Sequence, residues 1–401
     1  MVLLATGFLC FHPFDANAVN LSMDAIPSLR LEQGWTSNAT NTDANQVSSY
    51  YFRAVPGLAL KFSTPGKVTF QLSGSYEKVR YYSSEAKSAD SNTFFFRLDS
   101  TGEVNISPKL SVVPSAYLVN TTSSDRRVQL LPSDDPVVPP ASIINYGNTK
   151  SESLGGGLAF KYRMTPNLSI GLTGIYGEER FPNPVTGAGL ANSTTAGGGA
   201  SVSYIFNPRT TAGVSVSGNH NTYDNNASSD IQTVEIMFAR QFFAELYIEG
   251  GVGISRVRQA AFAGRPELSS TAPTWRLNAT YISGTFTSIA FTNAGFSGSS
   301  GFGVATQQWT AGFIFSDQFA RNWNWNLSGT YQLTRSVFDS NKVNLVDLYG
   351  VGGVHYNISE WASLDLTGYV NQQRSDGQFG NTLYTYAGVF GFTIGKPYNV
   401  F

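Results

Sequence analysis

Apolar and polar positions alternate along much of this chain. In WNWNLSGTYQLT, residues 323–334, Trp323, Trp325, Leu327, Tyr331 and Leu333 share one parity, and Asn324, Asn326, Ser328, Thr330 and Gln332 share the other. A period of two is the pattern of a β-strand, whose successive side chains point to opposite faces. The alternation returns in VTFQLSGSY (68–76), LSIGLTGIY (168–176), GVSVSGN (213–219) and SLDLTGYVNQ (363–372). Such strands serve either a soluble sheet, apolar face inward, or a membrane barrel, apolar face turned out to lipid. The polar parity separates the two. It is dominated by Ser, Thr, Asn, Gln and Gly, and only 13% of the chain is charged, whereas a soluble sandwich of this length would set charges on its outer face.

Two kinds of turn punctuate the strands. Short ones hold Pro or a tight polar cluster: 63–66, 107–109, 165–167, 207–209, 319–322 and 359–360. Long ones are rich in Asn, Asp, Ser and Gly: 83–92, 181–194, 224–229, 259–270, 297–301, 336–342 and 375–381. Short turns at one rim and long loops at the other are the signature of an up-and-down antiparallel transmembrane β-barrel. The expected fold is therefore all-β with about 18 staves, within a range of about 16 to 20. Their centres lie near Leu31, Leu58, Leu72, Leu98, Ala116, Phe160, Leu172, Val202, Val216, Ile236, Ile248, Leu277, Ile289, Phe313, Leu327, Gly350, Leu366 and Phe390. An even count leaves both termini on one side, and closure removes the unpaired edges that lipid does not tolerate. Trp323 and Trp325, just after a short turn, fall where an aromatic girdle belongs.

The ends of the chain add an address. MVLLATGFLCF is a short apolar region and Ala16-Asn17-Ala18 a small-x-small cleavage site, so residues 1–18 are expected to be a secretory signal peptide and 19–401 the barrel. The single cysteine, Cys10, lies in that leader, which leaves the mature chain without thiol chemistry. The C-terminal GVFGFTIGKPYNVF resembles the terminal-Phe signal read by barrel-assembly machinery, although Pro397 and Asn399 interrupt the alternation. A net charge of −1 provides no basic footprint for nucleic acid. The address implied is the bacterial outer membrane, with its lipid and lipopolysaccharide as surroundings.

IPSLRLEQGWTSNAT (26–40) followed by YYFRAVPGLALKF (50–62) resembles the opening hairpin of a loose group of outer-membrane β-barrel porins, several of them encoded beside exosortase and exopolysaccharide systems. Pro27, Gly34-Trp35, Asn38 and Pro56-Gly57-Leu58 carry the likeness. It implies an outer-membrane barrel of unassigned solute and a polysaccharide context, and supplies no catalytic residue.

Parity counted outward from each apolar anchor places the charges on the inner face with few exceptions. Arg30, Arg53, Lys61, Arg97, Lys161, Arg163 and Arg276 give seven positive charges; Glu32, Glu77, Asp99, Glu103, Glu235, Glu249, Asp347 and Asp365 give eight negative. That balance implies weak overall charge selectivity, with the charges either pairing across strands to stiffen the wall or concentrating at a constriction. Arg97, Asp99 and Glu103 on one stave, and Arg30, Glu32 and Arg53 on the first hairpin, are the candidates for a polar ladder. The longest loop, 122–150, sets Arg126 and Arg127 beside Asp134 and Asp135 between stiffening prolines, which suits either an inward constriction or a loop lying over the mouth.

Catalytic and metal chemistry find little support. His220 and His355 are expected at opposite rims, and His220 with Asp224 is the one local pairing with a carboxylate. Asp224, Asn225, Asn226 and Asp230 have the oxygen chemistry of a weak Ca²⁺ site and equally of an ordinary polar loop. No cofactor is expected. The sequence supports a porin-like channel for small hydrophilic solutes, passive or gated by a partner. The alternative is a barrel sheath or export component for exopolysaccharide or for an electron-carrying cytochrome partner in the periplasm.

Overall fold

A computed structural model describes residues 22–40, 42, 46–64, 68–99, 104–122, 150–182, 190–225, 227–261, 266–298, 303–338, 343–377 and 382–399. The residues expected to form the signal peptide lie outside the described ones, as do Glu103, Arg126, Arg127, Asp134 and Asp135.

The strands are β1 (Ser22–Thr36), β2 (Ser49–Thr64), β3 (Val68–Tyr81), β4 (Ser91–Asp99), β5 (Val104–Ser107), β6 (Leu110–Thr122), β7 (Lys150–Arg163), β8 (Leu168–Arg180), β9 (Ser193–Asn207) and β10 (Thr210–Tyr223). They continue with β11 (Ser228–Gln241), β12 (Leu246–Gln259), β13 (Leu268–Ser283), β14 (Phe286–Ser297), β15 (Thr306–Ala320), β16 (Trp323–Ser336), β17 (Val343–Ser359), β18 (Ala362–Gly377), β19 (Thr382–Gly395) and β20 (Tyr398–Asn399). Every pairing is antiparallel and joins neighbours in the chain, except β4 with β6 and the pairings of β19 and β20 with the edge of β1 that faces away from β2. β4 and β5 both pair with β6 and form one stave, and β20 is a two-residue continuation against β1, so about 18 staves result, as the turn pattern implies.

Register sets the shape of the ring. Following the residue pairs from β1 round to β1 again returns about 22 residues farther along, and over 18 staves that stagger inclines the strands by roughly 40°. The backbone cylinder is then on the order of 35 Å across.

The two faces differ sharply at mid-height. Outward residues such as Ile254 (62% exposed), Leu366 (63%) and Phe390 (51%) are large and apolar. Tyr204, Phe206, Phe319 and Trp323 form an exposed aromatic fringe at the short-turn rim, and the Trp323 ring lies 4.6 Å from that of Tyr356. The inner face of β7 to β10 carries Gly155, Gly157, Gly171, Thr173, Gly199, Ser201, Ser215 and Ser217. Tyr117 on β6 fits there because Gly155 opposite has no side chain; a Cβ at Gly155 would fall 2.5 Å from the phenol oxygen.

One strand is oriented only by its neighbours, and one expectation is corrected. Ile289, expected as a stave centre, lies with Phe291 on the inner face, because Arg276 on the inner face of β13 pairs with Asn293, two residues from Phe291. The run Ile289-Ala290-Phe291 is apolar on both parities, so alternation could not orient it. Charges are also not confined inside. Lys78, Arg80, Lys150, Glu152, Glu178, Arg180, His220, Asp230, Arg256, Arg258, Arg335 and Arg374 sit on the outward parity, all at the long-loop ends of their strands. There the inner face turns apolar instead, with Tyr51, Val79, Tyr81, Ile231, Val257, Val343 and Leu345 buried. A membrane strand needs about 9 to 11 residues, and β17 has 17. The surplus forms a collar standing in water, where ordinary soluble polarity applies.

Candidate functional site: the inner wall and the loop cap

At mid-height the inner wall carries paired charges. Glu32 on β1 is 2% exposed; it is ion-paired with Arg30, whose Nε lies 2.6 Å away, and accepts a hydrogen bond from Arg53 at 3.0 Å. Arg53, opposite Glu32 in the register, also pairs with Glu77 on β3. On the other side of Glu32 stands Gly391 and beyond it Asp365, opposite His355. A Cβ at Gly391 would lie 3.6 Å from both Asp365 Oδ2 and Glu32 Cγ, so the glycine brings two carboxylates close to one patch of wall. Asp365 Oδ1 meets His355 Nδ1 at 2.5 Å, and His355 Nε2 lies 2.8 Å from Asn357 Oδ1. About half-way round the ring, Arg276 faces Glu235 at 3.7 Å and donates to the Met237 sulfur at 3.2 Å. Register and tilt place these groups within about 10 Å of one another in height, on opposite walls.

The other sequence candidates are dispersed. Lys61, paired in register with Asp24, and Lys161 and Arg163 lie on the inner parity toward the short-turn rim. In the backbone register Arg97 stands opposite Ser73 and Tyr117, and Asp99 opposite Gln71. Asp347 is buried near the mouth (3% exposed) opposite Gln332 and Gln373. His220 bonds Asp230 at 2.7 Å, outside the barrel, and not Asp224. Sequence reasoning missed both histidine pairs. The hairpin register could have found them, since each joins residues equidistant from a turn. Among the described residues no group of three candidate metal ligands occurs.

Above this belt, loops cross the mouth. Val304, just ahead of β15, packs on Val343 and Leu345 of β17 and on Leu190, just ahead of β9. Ala305 and Phe338 pack on Ile231 and Val257 of β11 and β12. Ala39, Ala86 and Ala89 from the first two loops pack against Tyr51, Val79, Tyr81 and Val389. Polar ties lock the arrangement. Asn225 donates its amide to Gly303 O at 3.2 Å, Asp224 N–H reaches Asn192 O at 3.2 Å, and Asn38 holds its own loop by donating to Thr42 O at 2.8 Å. Gly303 adopts φ +67°, a left-handed conformation that a side chain resists. At the outer rim Arg258 bonds Glu267 at 2.6 Å, and that hydrogen bond holds the loop carboxyl below its ordinary range.

The strand wall is not perfectly satisfied. Asn371, wholly buried on β18 between Tyr349 and Thr385, has no hydrogen-bond partner for either amide atom. Leaving such groups unpaired costs roughly 1 to 3 kcal/mol each.

An apolar outer belt, a polar inner wall and a loop-capped mouth define a transmembrane β-barrel of the outer-membrane type. No protein-family model matches the chain, and no curated protein matches it. Among solved structures it is similar to Pseudomonas aeruginosa OpdK with vanillate, at 12% identity over 93% of this chain and 99% of that one, TM-score 0.46. It is similar as well to Acinetobacter baumannii OccAB4, at 10% identity over 95% and 100% of the two chains, TM-score 0.44. A third is P. aeruginosa OccK2 (OpdF) in complex with glucuronate, at 11% identity over 95% and 99%, TM-score 0.45. Likeness at this level says nothing of what this chain carries.

Proposed function

We propose that the protein is a porin-like channel of the outer membrane that passes small hydrophilic solutes with little overall charge selectivity, and that its loop cap, not the wall, limits the flow. One observation carries this reading. Below the cap, inner-face residues of β7, β8, β10 and β12, among them Arg163, Thr173, Ser217 and Glu249, are exposed although they point into the barrel. Water therefore reaches the lumen wall, and an 18-stave ring is wide enough to leave an aqueous path. The proposed lining comprises Arg30, Glu32, Arg53, Lys61, Arg97, Asp99, Glu103, Lys161, Arg163, Arg276, Asp347 and Asp365.

Conductance of the refolded protein in a planar bilayer tests it. Discrete steps on the order of a nanosiemens or below in molar KCl, with a near-zero reversal potential across a KCl gradient, are expected. A silent barrel that keeps its heat-modifiable electrophoretic mobility would overturn the channel reading in favour of a sheath filled by a partner.

A further inference from the structure

The short-turn rim carries an unused basic cavity on the outside of the barrel. Asn207, Pro208, Arg209, Thr210, Arg240, Gln241 and Phe242 line a cavity of about 400 Å³ where the β9–β10 turn meets the β11–β12 turn. The turns are held together: Asn207 Oδ1 accepts the Arg209 N–H at 2.9 Å, and Gln241 N–H donates to Arg209 O at 2.9 Å. Arg240 stands opposite Thr210, on the outward parity, with its guanidinium 5.1 Å from the centre of the Phe242 ring. Neither arginine takes part in an ion pair among the described residues; of the two acids five residues from Arg240, Glu235 faces Arg276 and Glu245 pairs with neither arginine.

The position makes this unusual. Among the described strand residues, Arg240 is the one outward-facing cation in the short-turn half; the others stand in the collar at the opposite rim. Around it are exposed aromatics, Phe206 (63%), Phe243 (65%) and Tyr204 (44%), at the level of the aromatic fringe. Aromatic fringes mark where acyl chains give way to headgroups. An arginine there buries its stem in the apolar zone and lifts its guanidinium to the phosphates. Two arginines line the one cavity, a pairing that suits a phosphodiester oxygen pair, which arginine binds through parallel N–H donors.

We propose that this cavity binds the phosphate of an anionic phospholipid in the periplasmic leaflet, with Arg209 and Arg240 gripping the headgroup and the acyl chains lying along Phe206, Phe238 and Val202. The site is independent of solute passage, so the fate of the channel reading does not touch it.

Native mass spectrometry of the intact detergent-solubilised protein tests the proposal, with phosphatidylglycerol, phosphatidylethanolamine and millimolar inorganic phosphate added in separate arms. Phosphatidylglycerol should persist as an adduct on the wild-type protein, and the Arg209→Ala/Arg240→Ala pair should lose it by about tenfold or more. The Arg209→Lys/Arg240→Lys pair, which keeps the charge and loses the fork, should retain an intermediate amount, and it serves in place of the alanine pair should that pair fail to refold. Equal retention by wild type and variants would overturn the site. So would equal retention of phosphatidylethanolamine, and full displacement by inorganic phosphate would assign the cavity to a free anion.

Discussion

Two residues concentrate the energetics. Arg53 is 13% exposed and serves two carboxylates that are more buried still. Removing one partner of a buried ion pair strands the other charge, so Arg53→Ala should cost roughly 3 kcal/mol of stability in urea unfolding. It should also move the reversal potential toward cation preference, since Glu32 and Glu77 then act without a counter-charge. A stable, still unselective variant would mean that these groups do not face the conduction path. Gly303 holds the cap by conformation: its φ of +67° disfavours any side chain by about 1 to 2 kcal/mol, and a Cβ there would fall 2.9 Å from Ala191 Cβ. Gly303→Val should loosen the cap and raise single-channel conductance with the barrel intact; unchanged conductance would show that the cap does not limit flow.

Strands explain where charge is tolerated. Leu366 and Arg374 occupy the same outward parity of β18, one at mid-height and the other in the collar. An arginine at the bilayer midplane costs roughly 2 to 4 kcal/mol and near the interface almost nothing. Leu366→Arg should therefore destabilise vesicle-folded protein by about that amount, whereas Arg374→Leu should change it by about 0.5 kcal/mol or less. Equal effects would show that the slab has been placed wrongly along the strand. The strand count and most orientations were legible in the sequence because alternation is local. β14 was not, because Ile289, Ala290 and Phe291 satisfy both faces, and only pairing with β13 and β15 settles which one looks inward.

The whole molecule is governed by its stagger. A shift of about 22 residues around the ring requires strands inclined near 40°, which polarised infrared dichroism of oriented membranes measures directly; a tilt below roughly 30° would contradict the register. The same inclination brings distant stretches of sequence to one height. Glu32, Asp365, Glu235 and Arg276 thereby form a belt, although they come from opposite ends and the middle of the chain. It also lets Leu190 and Val304, each just ahead of a different strand, meet at the mouth.

Alternation, turn spacing and the scarcity of charge were enough to specify an outer-membrane type of barrel, because a strand's period and a bilayer's thickness are both local constraints on a sequence. The paired wall charges, the reversal of polarity in the collar and the cap are products of tertiary structure. Each depends on which residues the register sets opposite one another or which loop folds across the ring, and neither is encoded in the period of any one strand.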